Sequence, residues 1–145
     1  MVRRVYLDTS AFLRGVLADA PEHAAVEVLL NDPAWQFISS DLLWLEADRA
    51  GIRLMAGHPS WAGLRADVER GLRRVDRVAL DQTVLAAARA IPEVVKSLDA
   101  IHIATAELLG DSIDRVLTYD ATMTRVLRAH GLVVATAKDL AAPQR

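Results

Sequence analysis

Asp99 is the residue whose sequence neighbours point most strongly to chemistry. It lies near the start of Leu98–Leu109, a segment that is apolar on nearly every side and is therefore expected to form a buried helix. Asp99, His102 and Thr105 form one polar stripe, because positions three apart share a helix face. A buried carboxylate without a partner is costly, so the site must supply compensation, which a cation would provide. A metal ion is one such cation, and an ion pair with Lys96 or an arginine is the alternative.

Two further aspartates follow predicted strands. Asp8 comes directly after residues 5–7, and Asp120 lies just beyond residues 116–118. Binding crevices of α/β proteins form outside the carboxyl ends of parallel strands, so both side chains are expected at such a crevice. Each position equally suits a turn residue or a helix N-cap. The two roles are compatible, because a capping carboxylate can still bind a metal through its other oxygen.

Glu46 and His102 are more ambiguous. Most neighbours of Glu46 one helical turn away are apolar, which places it toward a packed face, but a surface ion pair with Arg49 or Arg53 is the simpler interpretation. His102 could be a general base or a ligand. A lone histidine on a buried helix is more often a hydrogen-bonded core residue, so we expect it to orient Asp99 or its surroundings.

Short strands alternate with helices along the whole chain. Strands are predicted at residues 3–7, 35–38, 75–80, 115–118 and 132–134. The first helix is predicted to begin at residue 11. Further helices are predicted at 21–30, 41–56, 60–73, 82–91, 97–110 and 120–130. This alternation predicts a parallel sheet with helices on both faces.

Composition limits the remaining possibilities. The length of 145 residues favours a single domain, predicted at 1–140 with a frayed tail at 141–145. Cysteine is absent, which excludes disulfides, thiolate metal sites and thiol nucleophiles. No apolar run predicts a membrane span or a signal peptide, so a cytoplasmic location is expected. The net charge of −2 is neutral to mildly unfavourable for a nucleic-acid role.

Four segments together resemble the motifs of PIN domains, in the order in which that family carries them. They are residues 6–10 (Tyr-Leu-Asp-Thr-Ser), 45–47 (Leu-Glu-Ala), 98–106 (Leu-Asp-Ala-Ile-His-Ile-Ala-Thr-Ala) and 117–120 (Leu-Thr-Tyr-Asp). The third segment is the most specific. The resemblance extends from Val5 to about Val134, and a stand-alone domain of this length resembles the VapC-type toxins of bacterial and archaeal toxin–antitoxin pairs.

The resemblance implies a fold, an activity and a set of site residues. The fold would be a three-layer α/β/α sandwich around a short parallel sheet, and the activity RNA phosphodiester cleavage dependent on Mg²⁺ or Mn²⁺. Four carboxylates match the family's acidic quartet: Asp8, Glu46, Asp99 and Asp120. Asp8 and Asp99 are expected to be the principal metal ligands, the other two completing the shell or holding water and a second ion. Ser10 and Thr118 match supporting hydroxyl positions.

The chemistry of such a quartet agrees with a metal site. Hard divalent cations prefer oxygen ligands. Four carboxylates without a cation would repel one another and raise one another's pKa. The resemblance also implies three kinds of partner: an RNA substrate, a cognate antitoxin that blocks the site, and a second copy of the chain. We therefore expect a homodimer, and a heterotetramer or larger assembly with the antitoxin.

Contacts to these partners are harder to place. Basic residues near the mouth of the crevice are candidates for RNA binding, although each also suits a solvated helix face: Arg14, Arg49, Arg53, Lys96 and Arg125. Trp44 and nearby leucines could line a groove for the antitoxin, since tryptophan is enriched at interfaces. Trp35 lies in a predicted strand and is expected to pack in the core.

Two other functions fit the pattern less well. A phosphotransfer enzyme of the haloacid dehalogenase type needs a second aspartate two residues after the first, and Ser10 stands there. A non-catalytic PIN-fold interaction module is the remaining alternative. A degenerate quartet would support that alternative, and the quartet here is intact.

Overall fold

A computed structural model describes residues 2–141 of the chain as a parallel sheet flanked by helices. The strands are β1 (Arg3–Leu7), β2 (Trp35–Ser40), β3 (Val75–Val78), β4 (Arg115–Leu117) and β5 (Val134–Ala135). The helices are α1 (Thr9–Val16), α2 (His23–Leu30), α3 (Leu42–Met55), α4 (Trp61–Leu72), α5 (Gln82–Arg89), α6 (Ser97–Leu109), α7 (Ala121–Ala129) and α8 (Ala137–Ala141). A 3-10 turn, Gly110–Ser112, links α6 to β4.

The sheet has the strand order β3-β2-β1-β4-β5, and every neighbouring pair is parallel. The chain therefore builds outward from β1 to β3, and then returns to the other side of β1 to add β4 and β5. This reversal creates a topological switch point between β1 and β4, where open α/β sheets place their ligand crevices. In register, Leu7 pairs with Leu117, so the residues that follow them meet at this crevice.

The alternation of side chains along β1 divides the core into two layers. Val5 and Leu7 point into a cluster that includes Phe12 of α1 and Leu30 of α2. Tyr6, on the opposite face of the strand, joins a second cluster with residues of α6 and α7. Helices therefore cover both faces of the sheet, and the three-layer α/β/α sandwich predicted from the sequence is confirmed.

The predicted elements agree with the structure except near their ends. The third strand ends at Val78 rather than at residue 80, and the last strand is Val134–Ala135 rather than 132–134. Helix α8 was not predicted, and it includes Ala141, which the sequence analysis assigns to the tail. Residues 142–145 lie outside the described part of the chain. Between residues 2 and 141, no helix combines the length and the apolar character needed to cross a bilayer.

Candidate metal centre

Asp8 is the most buried carboxylate of the predicted quartet, with 4% of its surface exposed. It follows β1 and occupies the N-cap position of α1, but its side chain makes no capping bond to that helix. Instead, its Oδ2 accepts hydrogen bonds from Ser10 Oγ at 2.6 Å and Thr118 Oγ1 at 2.8 Å. Its Oδ1 lies 3.8 Å from Nε2 of His102. One oxygen of Asp8 is thus held by two donors, while the other has only His102 nearby.

Glu46 is held in the same way. It lies on the second turn of α3, and its Oε1 accepts hydrogen bonds from Thr9 Oγ1 and His102 Nε2, both at 2.7 Å. Partial burial raises the pKa of Glu46, but these two hydrogen bonds outweigh it, and the net pKa is lowered. The carboxylate therefore stays ionised. The surface ion pair with Arg49 or Arg53 that the sequence allowed is not formed.

Asp99 lies in the first turn of α6, where the helix dipole favours a negative charge. Burial raises its pKa, and the negative charges of Asp120, Asp8 and Glu46 raise it further. This shift indicates that the four carboxylates are electrostatic neighbours in the folded chain. Among residues 2–141, neither Lys96 nor any arginine forms an ion pair with Asp99.

Asp120 combines two roles. It is the N-cap of α7, and its Oδ1 accepts a hydrogen bond from the backbone N–H of Met123 at 2.7 Å, which confirms the predicted cap. Its own backbone N–H donates to Thr118 Oγ1 at 3.1 Å. The hydroxyl of Thr118 therefore connects the loop of Asp120 to the carboxylate of Asp8. Within the described residues, Oδ2 of Asp120 has no hydrogen-bond partner.

The arrangement of these side chains does not form a closed coordination shell. As they stand, no three histidine or acidic side chains between residues 2 and 141 are spaced to hold one ion. The donor set nevertheless suits a hard divalent cation, because it consists of oxygen atoms with mutually repelling charges. No lysine or arginine of the described chain neutralises them. The residues therefore fit a divalent ion in chemistry, and the shared-ion geometry stays a prediction.

The supporting residues fall partly where the sequence placed them. Ser10 and Thr118 both donate to Asp8. His102 is 1% exposed and bonds Glu46, an electrostatic neighbour of Asp99. Sequence reasoning missed Thr9, although it stands between Asp8 and Ser10 in the first motif.

Tyr6 was missed as well. Its hydroxyl lies 2.7 Å from Nδ1 of His102, and burial raises the pKa of this phenol well above its ordinary value. Tyr6 is a large aromatic residue within a buried strand, so its pattern predicted only core packing. Its polar role depends on a histidine that is distant in the sequence.

The basic and aromatic candidates occupy different environments. Arg14 stacks on the ring of Tyr119, 4.2 Å from its centroid, and donates to the carbonyl of Pro21, so it is engaged within the fold. The other four basic candidates have exposed side chains: Arg49, Arg53, Lys96 and Arg125. Trp35 is buried in the core as predicted. Trp44 is half-buried and lies beneath the guanidinium of Arg77, at 4.3 Å.

Comparison with known proteins identifies the family of this chain. The PIN domain family model matches residues 5–128. Ribonuclease VapC35 of Mycobacterium tuberculosis is 32% identical over 133 residues, which are 90% of this chain and 94% of that protein. Ribonuclease VapC46 of the same organism is 35% identical over 131 residues, which are 90% of this chain and 95% of that protein.

Solved structures share the fold at lower identity. VapC20 of M. tuberculosis, a toxin described as cleaving the sarcin–ricin loop, has a TM-score of 0.64 and 18% identity, covering 89% of this chain and 96% of that one. The DNA-bound VapBC of Salmonella typhimurium has a TM-score of 0.65 and 17% identity, covering 94% of this chain and 99% of that one. The chain therefore belongs to the PIN-domain family, within its VapC group of ribonuclease toxins.

Proposed function

We propose that this chain is a Mg²⁺- or Mn²⁺-dependent endoribonuclease that acts as the toxin of a toxin–antitoxin pair. The observation that carries the proposal is the cluster of Asp8, Glu46, Asp99 and Asp120 at the β1–β4 switch point. These carboxylates come from four different elements or loops. Burial and the charges of the other three raise the pKa of Asp99, and no lysine or arginine of the described residues pairs with any of the four. A purely structural cluster would gain little from such repulsion, whereas a cation would convert it into attraction.

Asp8 and Asp99 are proposed as the principal ligands, with Glu46 and Asp120 completing the shell. When bound, a hard divalent ion supplies charge neutralisation and water activation for phosphodiester hydrolysis. The chain itself contributes orientation. Ser10 and Thr118 hold Oδ2 of Asp8, which leaves Oδ1 as the oxygen available to a ligand.

RNA binding is proposed for the exposed basic residues around this crevice. Lys96 is the strongest candidate, because it precedes α6 directly and stands three positions before Asp99. Arg49 and Arg53 lie on α3, the helix that carries Glu46, and Arg125 lies on α7 beyond Asp120. Cationic side chains in these places would contact phosphates without reading sequence. Arg14 is a weaker candidate because its guanidinium already stacks on Tyr119.

Partners are proposed from the relatives. One solved neighbour is a toxin–antitoxin complex from Klebsiella pneumoniae. We propose that a cognate antitoxin blocks the crevice of this chain and that the toxin forms a homodimer. Light scattering of the toxin alone and of the co-expressed pair measures both assemblies directly.

The activity is tested with purified protein and total RNA. We expect fragments in Mg²⁺ or Mn²⁺, none in excess EDTA, and recovery when Mn²⁺ is restored above the chelator. Cleavage that persists in EDTA would contradict the metal dependence. Intact RNA in every condition, together with a flat Mn²⁺ calorimetric titration, would instead favour a non-catalytic interaction module.

A further inference from the structure

Glu46 poses a positioning problem that the three aspartates do not. Its side chain has one more rotatable bond than aspartate, and it projects from the second turn of α3 rather than from a helix start or a strand end. A ligand must be held close to its productive geometry to be useful. The structure contains a series of hydrogen-bonded polar side chains that ends on this carboxylate.

The series begins in the core. Tyr6 is 0% exposed and its hydroxyl lies 2.7 Å from Nδ1 of His102. The two rings meet edge to face, with centroids 5.9 Å apart. On the other side of the imidazole, Nε2 lies 2.7 Å from Oε1 of Glu46. The line of contacts thus runs from β1, through α6, to α3.

The direction of each hydrogen bond follows from the chemistry of its ends. The carboxylate of Glu46 can only accept, so Nε2 of His102 carries the hydrogen that faces it. A phenol keeps its proton at neutral pH and can donate it. In the neutral imidazole, Nε2–H pointing at Glu46 leaves Nδ1 as the acceptor for the Tyr6 hydroxyl. The Tyr6 hydrogen bond therefore selects the tautomer that can hold Glu46.

We propose that Tyr6 and His102 are positioning residues that fix Glu46 with Oε1 occupied and Oε2 presented to the crevice. Thr9 donates to the same Oε1, at 2.7 Å, so two donors converge on one oxygen. The other oxygen has no hydrogen-bond partner within the described chain. Asp8 follows the same rule, with Oδ2 held by two hydroxyls, which makes single-oxygen ligation the common design of both carboxylates.

A role in core packing alone explains the hydrogen-bonded side chains of Tyr6 and His102 less well. The buried hydroxyl of Tyr6 and the imidazole of His102 each need a polar partner, whereas phenylalanine and leucine would fill similar volume without one. The polar groups satisfy each other and terminate on a carboxylate of the proposed metal centre. The inference rests on the proposed function, because Glu46 must be a ligand for its position to matter.

Manganese affinity measured by calorimetry tests the proposal without any cleavage assay. Tyr6→Phe removes only the hydroxyl, and we expect Mn²⁺ binding to weaken about tenfold or more, the usual effect of losing a partner behind a ligand. His102→Gln should weaken it at least as much. Tyr119→Phe and His130→Gln are matched controls outside the chain of contacts, and both should bind Mn²⁺ like the wild type.

A double-mutant cycle separates positioning from general loosening of the fold. In a Glu46→Ala background, Tyr6→Phe should have no further effect on Mn²⁺ affinity, because its target is gone. An equal loss in both backgrounds would overturn the proposal, and so would wild-type affinity in a folded Tyr6→Phe protein. If Tyr6→Phe and His102→Gln do not fold, ¹⁵N NMR of the wild-type imidazole decides: hydrogen on Nε2 with none on Nδ1 supports the proposal, and hydrogen on Nδ1 overturns it.

These measurements distinguish a failure of the proposed metal centre from a failure of the positioning role of Tyr6 and His102. A wild-type protein that binds no Mn²⁺ overturns the proposed metal centre and this inference with it. A wild-type protein that binds Mn²⁺ and cuts RNA, with variants of unchanged affinity, overturns only the positioning role of Tyr6 and His102.

Discussion

Replacing Thr118 with valine removes one buried hydroxyl that joins two parts of the site. Thr118 is 3% exposed, and its Oγ1 donates to Asp8 Oδ2 and accepts from the backbone N–H of Asp120. Valine has nearly the same shape, so the change removes hydrogen bonds while leaving the packing volume intact. The ionised Asp8 loses one of its two donors, and the N–H of Asp120 loses its acceptor.

The expected cost follows from the types of bond that are lost. A hydrogen bond to a charged group contributes about 1.5–3 kcal/mol, and a neutral one about 0.5–1.5 kcal/mol. Because the two bonds share one hydroxyl, we expect a combined loss of about 2–4 kcal/mol in the free energy of unfolding. At about 4 °C per kcal/mol for a chain of this size, Tm should fall by about 8–16 °C.

Urea unfolding in EDTA measures this loss without a contribution from metal. Thr105→Val is the control, because Thr105 is 1% exposed, makes no hydrogen bond with Asp8 or Asp120, and donates its hydroxyl to the carbonyl of Ile101 in its own helix. A hydroxyl that bonds a carbonyl of its own helix contributes little to stability, so Thr105→Val should lower the free energy of unfolding by under about 1 kcal/mol. If Thr118→Val costs no more than the control, the hydroxyl does not support Asp8 as described here.

Three further predictions concern the charges. Asp8→Asn should abolish RNA cleavage while the circular dichroism spectrum and Tm match or exceed those of the wild type in EDTA; normal cleavage would exclude Asp8 as a ligand. Asp99→Asn should stabilise the metal-free protein, because burial and neighbouring carboxylates raise the pKa of Asp99 in the folded state. The free energy of unfolding of the wild type should therefore fall as pH rises through that pKa. Urea titrations at several pH values should show this decrease for the wild type and not for the variant. His130→Gln should flatten the pH dependence of stability above about pH 6.5, because hydrogen bonding to Glu93 and the charge of Glu107 raise the pKa of His130. The stability this adds is present below the unfolded value of 6.5 and is lost as pH rises through the folded pKa. An unchanged slope would show that these carboxylates do not bind the imidazolium.

The fold was predictable because its signals are local. Short apolar segments such as Val5–Leu7 mark the strands, and signals such as Asp81 and Asp120 mark helix starts that the structure confirms as side-chain caps. The end of the chain was less clear. Helix α8 has only five residues, and it is held by packing of Ala137 and Leu140 into the core rather than by a strong pattern of its own.

The site was predictable in its carboxylates and less so in their partners. The four acidic residues lie in four motifs that can be recognised in the sequence. The partners of Glu46 do not, because Thr9 and His102 lie 37 and 56 positions away from it in the chain and meet it only through packing of α1, α3 and α6. Sequence spacing reveals neighbours along one helix, so Arg49 and Arg53 were the visible partners and proved not to pair with Glu46.

Anomalous diffraction from crystals of the protein grown with Mn²⁺ tests the proposed metal centre directly. We predict a manganese peak at the β1–β4 switch point, bonded to Oδ1 of Asp8 and to a carboxylate oxygen of Asp99, with Glu46 presenting Oε2. A well-ordered crevice without a peak at saturating Mn²⁺, or a peak bound only elsewhere on the molecule, would contradict it.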